Sequence, residues 1–209
     1  MDTSNSWQRI MATVSPGEWT DQSLDDTRVH SAVVAKRLLD LGMATSGFLV
    51  LFPLLAAIAV AVKLDSRGPV LHISRRLGRN SRLFQCWKFR TMTLDGRETR
   101  LGLWLRRHGL DELPQLANVI RGEMSMVGPR PLMASDCPTE AACRLRRLQM
   151  MPGMTGLWAL PEVEFSPLMP YVSPDDAYRR NWSIWLDVMI VAKSMGAAVA
   201  GRGGTAFSR

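Results

Sequence analysis

A stretch of 22 residues without a charged side chain, Leu41 to Val62, constrains this chain more than any other feature. A continuous helix of that length would rise about 33 Å, enough to cross the roughly 30 Å hydrocarbon core of a bilayer. Pro53 lies within the stretch, and a proline inside a helix removes one backbone hydrogen bond and clashes with the carbonyl four residues earlier. The sequence therefore predicts a membrane element with a weak point near its middle.

Three topologies compete for this segment. A cleaved signal peptide is disfavoured because the apolar run begins at Leu41 and contains a proline. A spanning helix would place the C-terminal body in the cytoplasm, because more Lys and Arg follow the segment than precede it. A re-entrant hairpin would return to the same leaflet, since basic residues flank both ends and each half around Pro53 reaches only mid-bilayer. The residues alone leave the last two topologies open.

The positive charge of the chain is concentrated in one block. Residues 75–107 hold ten Lys and Arg against two acids, more than the whole excess of +7. Such a block binds anions, in lipid head groups, phosphates or nucleic acids. We expect no nucleic-acid partner, because no helix-turn-helix, RNA-recognition or zinc-finger pattern accompanies it. Three cysteines without a close pair and three scattered histidines argue against a disulfide framework and a Cys/His metal site.

The local patterns predict an α+β fold that is mostly helical. Residues 1–35 are predicted to form a polar arm, and a short β-hairpin is predicted between Val70 and Met92. Apolar spacing predicts helices over 97–108, 113–121 and 139–150. Ser183 is positioned to cap a last helix, which is largely apolar and typical of an interfacial amphipathic helix.

Asp111 and Glu112 are the candidate catalytic residues, and two interpretations of them compete. Both stand just before Pro114 and an apolar helical run, where acidic side chains commonly cap a helix and complement its dipole. The same position suits a carboxylate nucleophile that faces a phosphorus atom, with a neighbouring carboxylate that helps to hold Mg²⁺.

Several basic residues are candidates for phosphate binding. Lys88 and Arg90 are two apart on a predicted strand, so their side chains share one face. Arg130 lies between two prolines, whose stiff backbone suits a fixed guanidinium fork for phosphate. Together with the carboxylates, these residues indicate a membrane-bound cytoplasmic domain arranged for phosphoryl transfer.

At this point the motifs resemble those of the bacterial sugar transferases, the monotopic phosphoglycosyl transferases. The resemblance covers about Lys36 to Lys193, and its segments stand in the family's order: KRLLDL, KFRTM, LDELPQ, VGPRP and PGMTGLW. The GLW and NWS variants look most like the exopolysaccharide-priming members, which transfer galactose or glucose phosphate to undecaprenyl phosphate. The resemblance implies a monotopic protein with a proline-broken re-entrant helix at 36–64 and a membrane-associated catalytic domain at 65–209.

The resemblance also implies a mechanism. Asp111 would attack the sugar-bearing phosphate of a UDP-sugar, UMP would leave, and undecaprenyl phosphate would take the phosphosugar from the aspartyl intermediate. Glu112 would be the dyad partner, and both carboxylates would hold Mg²⁺. The basic residues that match the family's site are Lys88, Arg90, Arg106 and Arg130. The reaction would start exopolysaccharide or other surface-glycan synthesis on the cytoplasmic face of the bacterial inner membrane. Membrane lipids, downstream glycosyltransferases or a second copy of the chain would be the further partners.

The chain departs from the family pattern in and after the PGMTG segment. Met151 stands where relatives usually have arginine, and Ala159–Glu162 replace a Gln and a Gly-Arg pair. The dyad and the Pro-Arg-Pro turn are intact, so we expect the chemistry to be retained. The alternative is a catalytically lapsed homologue that serves as a scaffold in an envelope-polysaccharide complex.

Overall fold

The computed structural model describes residues 26–133, 148–160 and 173–202. Most of the predicted arm and most of the helix predicted over 139–150 lie outside these ranges. Within them the fold is α+β and mainly helical, as predicted. The regular elements, in chain order, are α1 (Asp26–Asp65), β1 (Leu71–Leu77), β2 (Leu83–Phe89), α2 (Arg100–Arg107), α3 (Gln115–Arg121), β3 (Ser125–Val127), β4 (Gly153–Thr155), α4 (Pro174–Arg180) and α5 (Ile184–Val199).

The apolar segment forms the greater part of α1. This helix begins at Asp26. Residues 26–35, which were predicted to belong to the polar arm, are therefore helical. Pro53 lies inside α1 and does not end it, because residues on both sides keep their helical hydrogen bonding. The section Val33–Asp65 is long and apolar enough to cross a membrane.

One face of α1 packs against the rest of the protein along most of its apolar length. The residues on this face recur every three or four positions: Ala44, Phe48, Leu51, Leu55, Ile58 and Val62. They pack against apolar side chains of β2, α2 and α3, such as Phe89, Leu105 and Leu116. Val50 and Leu64, by contrast, are 77% and 82% exposed. The helix thus has a protein-facing stripe and an apolar face turned outward.

The predicted hairpin is confirmed. Strands β1 and β2 pair antiparallel, with Leu71 opposite Phe89 and Leu77 opposite Leu83. A second, two-stranded sheet pairs β3 with β4 in parallel, and here Ser125 lies opposite Gly153. A Cβ atom on Gly153 would lie 2.1 Å from the backbone nitrogen of Gly128, so only glycine permits this close approach.

The last helix, α5, begins where its cap was predicted. The hydroxyl of Ser183 accepts a hydrogen bond from the backbone N–H of Leu186. Leu186 and Ile190 are buried in a core with Tyr178 and Leu157. The opposite face of α5 is apolar and exposed, as expected of an interfacial helix. Its large exposed side chains are Ile184, Trp185, Val188, Met195 and Val199.

A buried hydrogen-bond network fastens the start of α1 to α5. Asp187 of α5 is 1% exposed and accepts hydrogen bonds from Lys36 Nζ at 2.7 Å, Tyr178 Oη at 2.6 Å and Trp182 Nε1 at 3.1 Å. Three donors of this kind satisfy a carboxylate that would otherwise be costly to bury. The ion pair joins Lys36 of α1 to Asp187 of α5, two residues that are 151 positions apart in the sequence.

A second buried carboxylate ties α1 to β3. Asp40 accepts hydrogen bonds from Ser125 Oγ at 2.7 Å and from the backbone N–H of Met126 at 3.1 Å. Lys36 Nζ lies 3.8 Å from Asp40, one helical turn away, so a single ammonium group serves both buried carboxylates. Strand β3 leads directly into the turn that carries Arg130, and the anchoring of α1 therefore reaches one candidate site residue.

We predict that Asp187→Ala lowers the free energy of unfolding by about 3–5 kcal/mol, because it leaves the largely buried Lys36 ammonium with only the more distant carboxylate of Asp40, at 3.8 Å, and removes the acceptor of Trp182 Nε1. Thermal unfolding in detergent measures the change. Glu98→Ala is the matched control, since it breaks an ion pair with Arg106 whose side chains are 43% and 30% exposed. That control should cost no more than about 1 kcal/mol. Equal losses in the two variants would contradict the assignment of Asp187 as an anchor.

Candidate active site

The predicted acidic dyad lies in a single 3₁₀ turn, Leu110–Glu112, between α2 and α3. Gly109 starts this turn with φ +64°, a conformation that favours glycine. Asp111 does not cap α3, because Pro114 occupies the capping position without a side-chain hydrogen bond. The side chains of Asp111 and Glu112 are buried, with residue exposures of 8% and 5%. The capping interpretation therefore does not explain why two carboxylates stand here.

Lys88 of β2 forms an ion pair with Glu112. Strand β2 lies against the dyad turn, and the pairing of Lys88 with His72 of β1 fixes its position in the hairpin. The structure thus brings together a strand lysine and a turn carboxylate that are 24 residues apart.

Burial raises the pKa of Asp111, and the positive charges of Lys88 and Arg106 oppose that rise. Burial also raises the pKa of Glu112, and the negative charge of Asp111 adds to that rise. The positive charges of Lys88 and Arg130 oppose it. Three of the four predicted cations therefore act electrostatically on the dyad. In this buried site the cations suit the binding of phosphate oxygens, and the two neighbouring carboxylates suit the binding of the metal ion that accompanies them.

Arg106 is held in place by neighbours on the loop before α2. Its Nε donates to Thr91 Oγ1 at 2.9 Å, and its Nη1 donates to Glu98 Oε1 at 2.6 Å. Thr91 belongs to the KFRTM segment, so the same segment supplies Lys88 and orients this arginine. A fixed guanidinium loses less conformational entropy when an anion binds to it.

Arg130 lies over the ring of Trp158, with its guanidinium carbon 5.6 Å from the ring centroid. Trp158 Nε1 in turn donates to the carbonyl of Gly128 at 2.9 Å. The indole therefore holds both the backbone and the side chain of the Pro-Arg-Pro turn, a role that the sequence analysis did not assign. The signal was present in the GLW motif, but the contact joins segments 30 residues apart.

Arg90 is placed differently from the other predicted cations. Its guanidinium donates to the carbonyls of Ser66 at 2.7 Å and Arg67 at 2.9 Å, and to the hydroxyl of Ser66 at 3.0 Å. Arg90 is 8% exposed, and these acceptors lie just beyond the C-terminal end of α1. The structure therefore uses Arg90 to clamp the end of α1 to β2, whereas Lys88, two residues earlier, faces the dyad.

The donor set at the dyad fits Mg²⁺. This ion commonly binds through one or two protein carboxylates and completes its shell with substrate phosphates and waters. Asp111 and Glu112 provide two such carboxylates, close enough for Asp111 to raise the pKa of Glu112. Within the described ranges, no group of three or more His, Cys, Asp or Glu side chains could form an all-protein metal site. A two-carboxylate site that relies on substrate oxygens is the arrangement these residues offer.

Comparison with known proteins decides the family. The sequence model of a family described as bacterial sugar transferase matches residues 31–201. This chain belongs to the bacterial sugar transferase family. The predicted resemblance is thereby confirmed, and the matched region includes α1 from residue 31 onward and every candidate site residue.

Relatives of this bacterial sugar transferase have names that agree with the predicted enzyme class. It is 42% identical over 188 residues to an undecaprenyl-phosphate glucose phosphotransferase of Komagataeibacter xylinus, covering 76% of this chain and 35% of the relative. It is 35% identical over 198 residues to the exopolysaccharide production protein ExoY of Rhizobium meliloti, covering 81% and 88%. It is 40% identical over 182 residues to a UDP-glucose:undecaprenyl-phosphate glucose-1-phosphate transferase of Xanthomonas campestris, covering 76% and 37%. The chain thus spans most of ExoY and little more than a third of the other two.

We predict that Asp111→Asn raises the thermal unfolding midpoint at neutral pH. A raised carboxyl pKa means that the folded state binds the proton more tightly than the unfolded state, so an ionised Asp111 weakens folding above its folded pKa. Each unit of such a rise corresponds to about 1.4 kcal/mol, and an amide avoids this cost. The advantage should shrink as the pH falls and disappear below the unfolded pKa, where the carboxyl is protonated in both states.

Unfolding midpoints measured in detergent between pH 4 and pH 8 test this prediction. Glu112→Gln is the matched control, because it also removes the ion pair with Lys88 and should gain less or lose stability. An Asp111→Asn variant that is less stable than the parent at every pH would contradict the assignment of a destabilising buried charge.

Proposed function

We propose that this protein transfers a sugar-1-phosphate from a UDP-sugar to undecaprenyl phosphate and releases UMP. The observation that carries the proposal is the buried Asp111–Glu112 pair, on which Lys88, Arg106 and Arg130 act electrostatically. The relatives' names supply the substrates: one is named for UDP-glucose and undecaprenyl phosphate, and another for exopolysaccharide production.

The first step is an attack by the Asp111 carboxylate on the sugar-bearing phosphorus of the donor. A bond forms between a carboxylate oxygen and that phosphorus, and the bond to the bridging oxygen breaks, so UMP leaves with the electron pair. A phosphosugar–aspartyl intermediate remains, which divides one difficult transfer into two easier ones. The attack needs Asp111 ionised, and the charges of Lys88 and Arg106 favour that form against the effect of burial.

In the second step Asp111, the nucleophile of the first step, becomes the leaving group. A phosphate oxygen of undecaprenyl phosphate attacks the same phosphorus, and the bond to Asp111 breaks to restore the carboxylate. The product is undecaprenyl-diphosphate-sugar, the starting lipid for exopolysaccharide or another surface glycan. This order predicts ping-pong kinetics, in which UMP is released before the acceptor reacts.

The remaining site residues hold the charged oxygens in place. Lys88, Arg106 and Arg130 neutralise phosphate charge at fixed positions, which is the main protein contribution to phosphoryl transfer. Glu112 and Asp111 would hold Mg²⁺, which supplies further charge neutralisation on the diphosphate when it is bound. Arg90 acts as a positioning residue, because its contacts lie at the end of α1.

A monotopic topology, in which both ends of the unbroken α1 stay at the cytoplasmic leaflet, accounts best for the packing of this helix. Arg37 near its start donates to the carbonyl of Val119 in α3 at 2.9 Å, and Arg90 holds Ser66 beyond its end. A helix that crossed a bilayer would carry these two ends to opposite sides, yet both contact one body. The outward apolar residues of α1 would then face lipid, and the basic block would lie at the head groups.

We predict that Asp111→Asn abolishes UMP release, with a loss of at least about 1,000-fold, because an amide is not a nucleophile toward phosphorus. The assay uses protein in nanodiscs with Mg²⁺, undecaprenyl phosphate and a panel of UDP-sugars. Asp95→Asn is the matched control, since it makes the same chemical change in an exposed loop. If the folded, lipid-bound parent released no UMP with any UDP-sugar of the panel, that result would favour the lapsed-scaffold alternative instead.

The monotopic topology is tested by labelling the two ends of α1. Val34 and Asp65 are exposed residues near its start and at its end, and each is replaced by cysteine in a variant without native cysteines. In inverted membrane vesicles, a membrane-impermeant maleimide should label both positions, and in right-side-out vesicles it should label neither before lysis. Labelling of the two positions from opposite sides would establish a spanning helix.

A further inference from the structure

A cavity of about 180 Å³ lies between the dyad turn and the C-terminal half of α5. Leu110 and Leu113 form one wall, Val191 and Met195 of α5 form the other, and Met126 and Met154 lie between them. The residues that line it are mainly apolar, and none of them is lysine or arginine. The chemistry of this cavity therefore suits a hydrocarbon group and not the nucleotide or diphosphate of the donor.

One wall of the cavity includes Glu112. This contact places the apolar space directly beside the carboxylate pair and the cation Lys88. Thr155 and Ser194, which also line the cavity, lie with their hydroxyl oxygens 2.6 Å apart and hydrogen-bond to each other. The polar groups at this point are thus paired within the protein, and an apolar occupant would not leave these hydroxyls without a hydrogen bond.

The cavity is continuous with the exposed apolar face of α5. Met195 lines the cavity and is also 65% exposed, next to Val199 and Val188 on the same face. A Cβ atom on Gly201, just beyond α5, would lie 3.4 Å from His108 Nε2, so the ends of α2 and α5 meet here. Trp104 of α2, four residues before His108, is half exposed. An apolar path thus runs from the predicted lipid-facing surface to the dyad.

We infer that this cavity receives the isoprenoid units next to the phosphate of the acceptor lipid. The inference rests on the proposed function and adds the place of the acceptor to it. A polyprenyl phosphate matches this arrangement in two ways: its hydrocarbon chain arrives from the bilayer and suits the apolar lining, and its terminal phosphate would lie on the side of the dyad. With its first isoprenoid units between the dyad turn and α5, the acceptor phosphate reaches the site beside Glu112.

The test places a larger side chain on α5 so that it fills the cavity. It measures UMP release from the donor and transfer to the acceptor separately. Ala198 lines the cavity. Ala198→Leu should raise the acceptor KM about 10- to 100-fold, because even one misplaced methylene in a hydrophobic pocket changes discrimination by about this factor. UMP release in a single turnover without acceptor should stay unchanged, since the donor does not use the cavity. Ala192→Leu is the matched control on the exposed side of α5 and should leave both half-reactions unchanged.

The acceptor's length separates occupation of the cavity from attachment to the membrane. With geranyl phosphate in detergent, Ala198→Leu should show the same relative loss as with undecaprenyl phosphate, because only the units next to the phosphate enter the cavity. A loss confined to undecaprenyl phosphate would assign the effect to membrane docking and overturn the inference.

Other outcomes are equally decisive. Ala197 also lines the cavity, and Ala197→Leu fills it from a second position. An unchanged acceptor KM in both Ala198→Leu and Ala197→Leu, with unfolding midpoints like the parent's, would overturn the inference and leave the proposed function intact. Loss of the acceptor-independent UMP release in these folded variants would assign the cavity to the donor. Absence of UMP release in the parent would refute the proposed function itself, and this result is separate from any effect at the cavity.

Discussion

The anchoring of an apolar helix by buried charges is the interaction on which the rest of this structure depends. Lys36 contributes one ammonium group to two buried carboxylates, Asp40 on its own helix and Asp187 on α5. Buried ions of this kind are costly unless each is paired and hydrogen-bonded, so the arrangement specifies one orientation of α1 on the body. Through Ser125 and β3 the same network supports the turn that carries Arg130. Membrane attachment and site geometry are thus set by shared contacts.

The site itself balances burial against charge. A dry surrounding strengthens electrostatic interactions with a diphosphate, but it also raises the pKa of Asp111, which the proposed mechanism requires to be ionised. Lys88 and Arg106 oppose that rise, and Lys88 also pairs with Glu112. In the proposed mechanism the same cations contact the phosphate oxygens of the donor. A carboxylate that weakens the folded state at neutral pH is a common cost of such a site.

The sequence pattern predicts local elements better than contacts between distant segments. It predicted the hairpin and the start of α5, because strand alternation and a serine cap are local signals. It grouped Arg90 with Lys88 on one face, yet Arg90 follows the end of β2 and turns to the carbonyls beyond α1. It left Trp158 without a role, since a contact across 30 residues has no local signature. It also began α1 ten residues late, because the polar residues before Lys36 carry no apolar periodicity.

The sequence by itself determined the family, the membrane segment and the order of the motifs, since each of these depends on residue types and spacings along the chain. It left open whether Asp111 caps a helix or faces a substrate, and whether the apolar segment crosses the bilayer. Tertiary structure argues against the helix cap, because it buries Asp111 and Glu112 in a turn against Lys88 with no cap made to α3. It bears on the second by packing both ends of α1 on one body. The physical reason is that burial and long-range pairing arise only when segments distant in the chain are brought into contact.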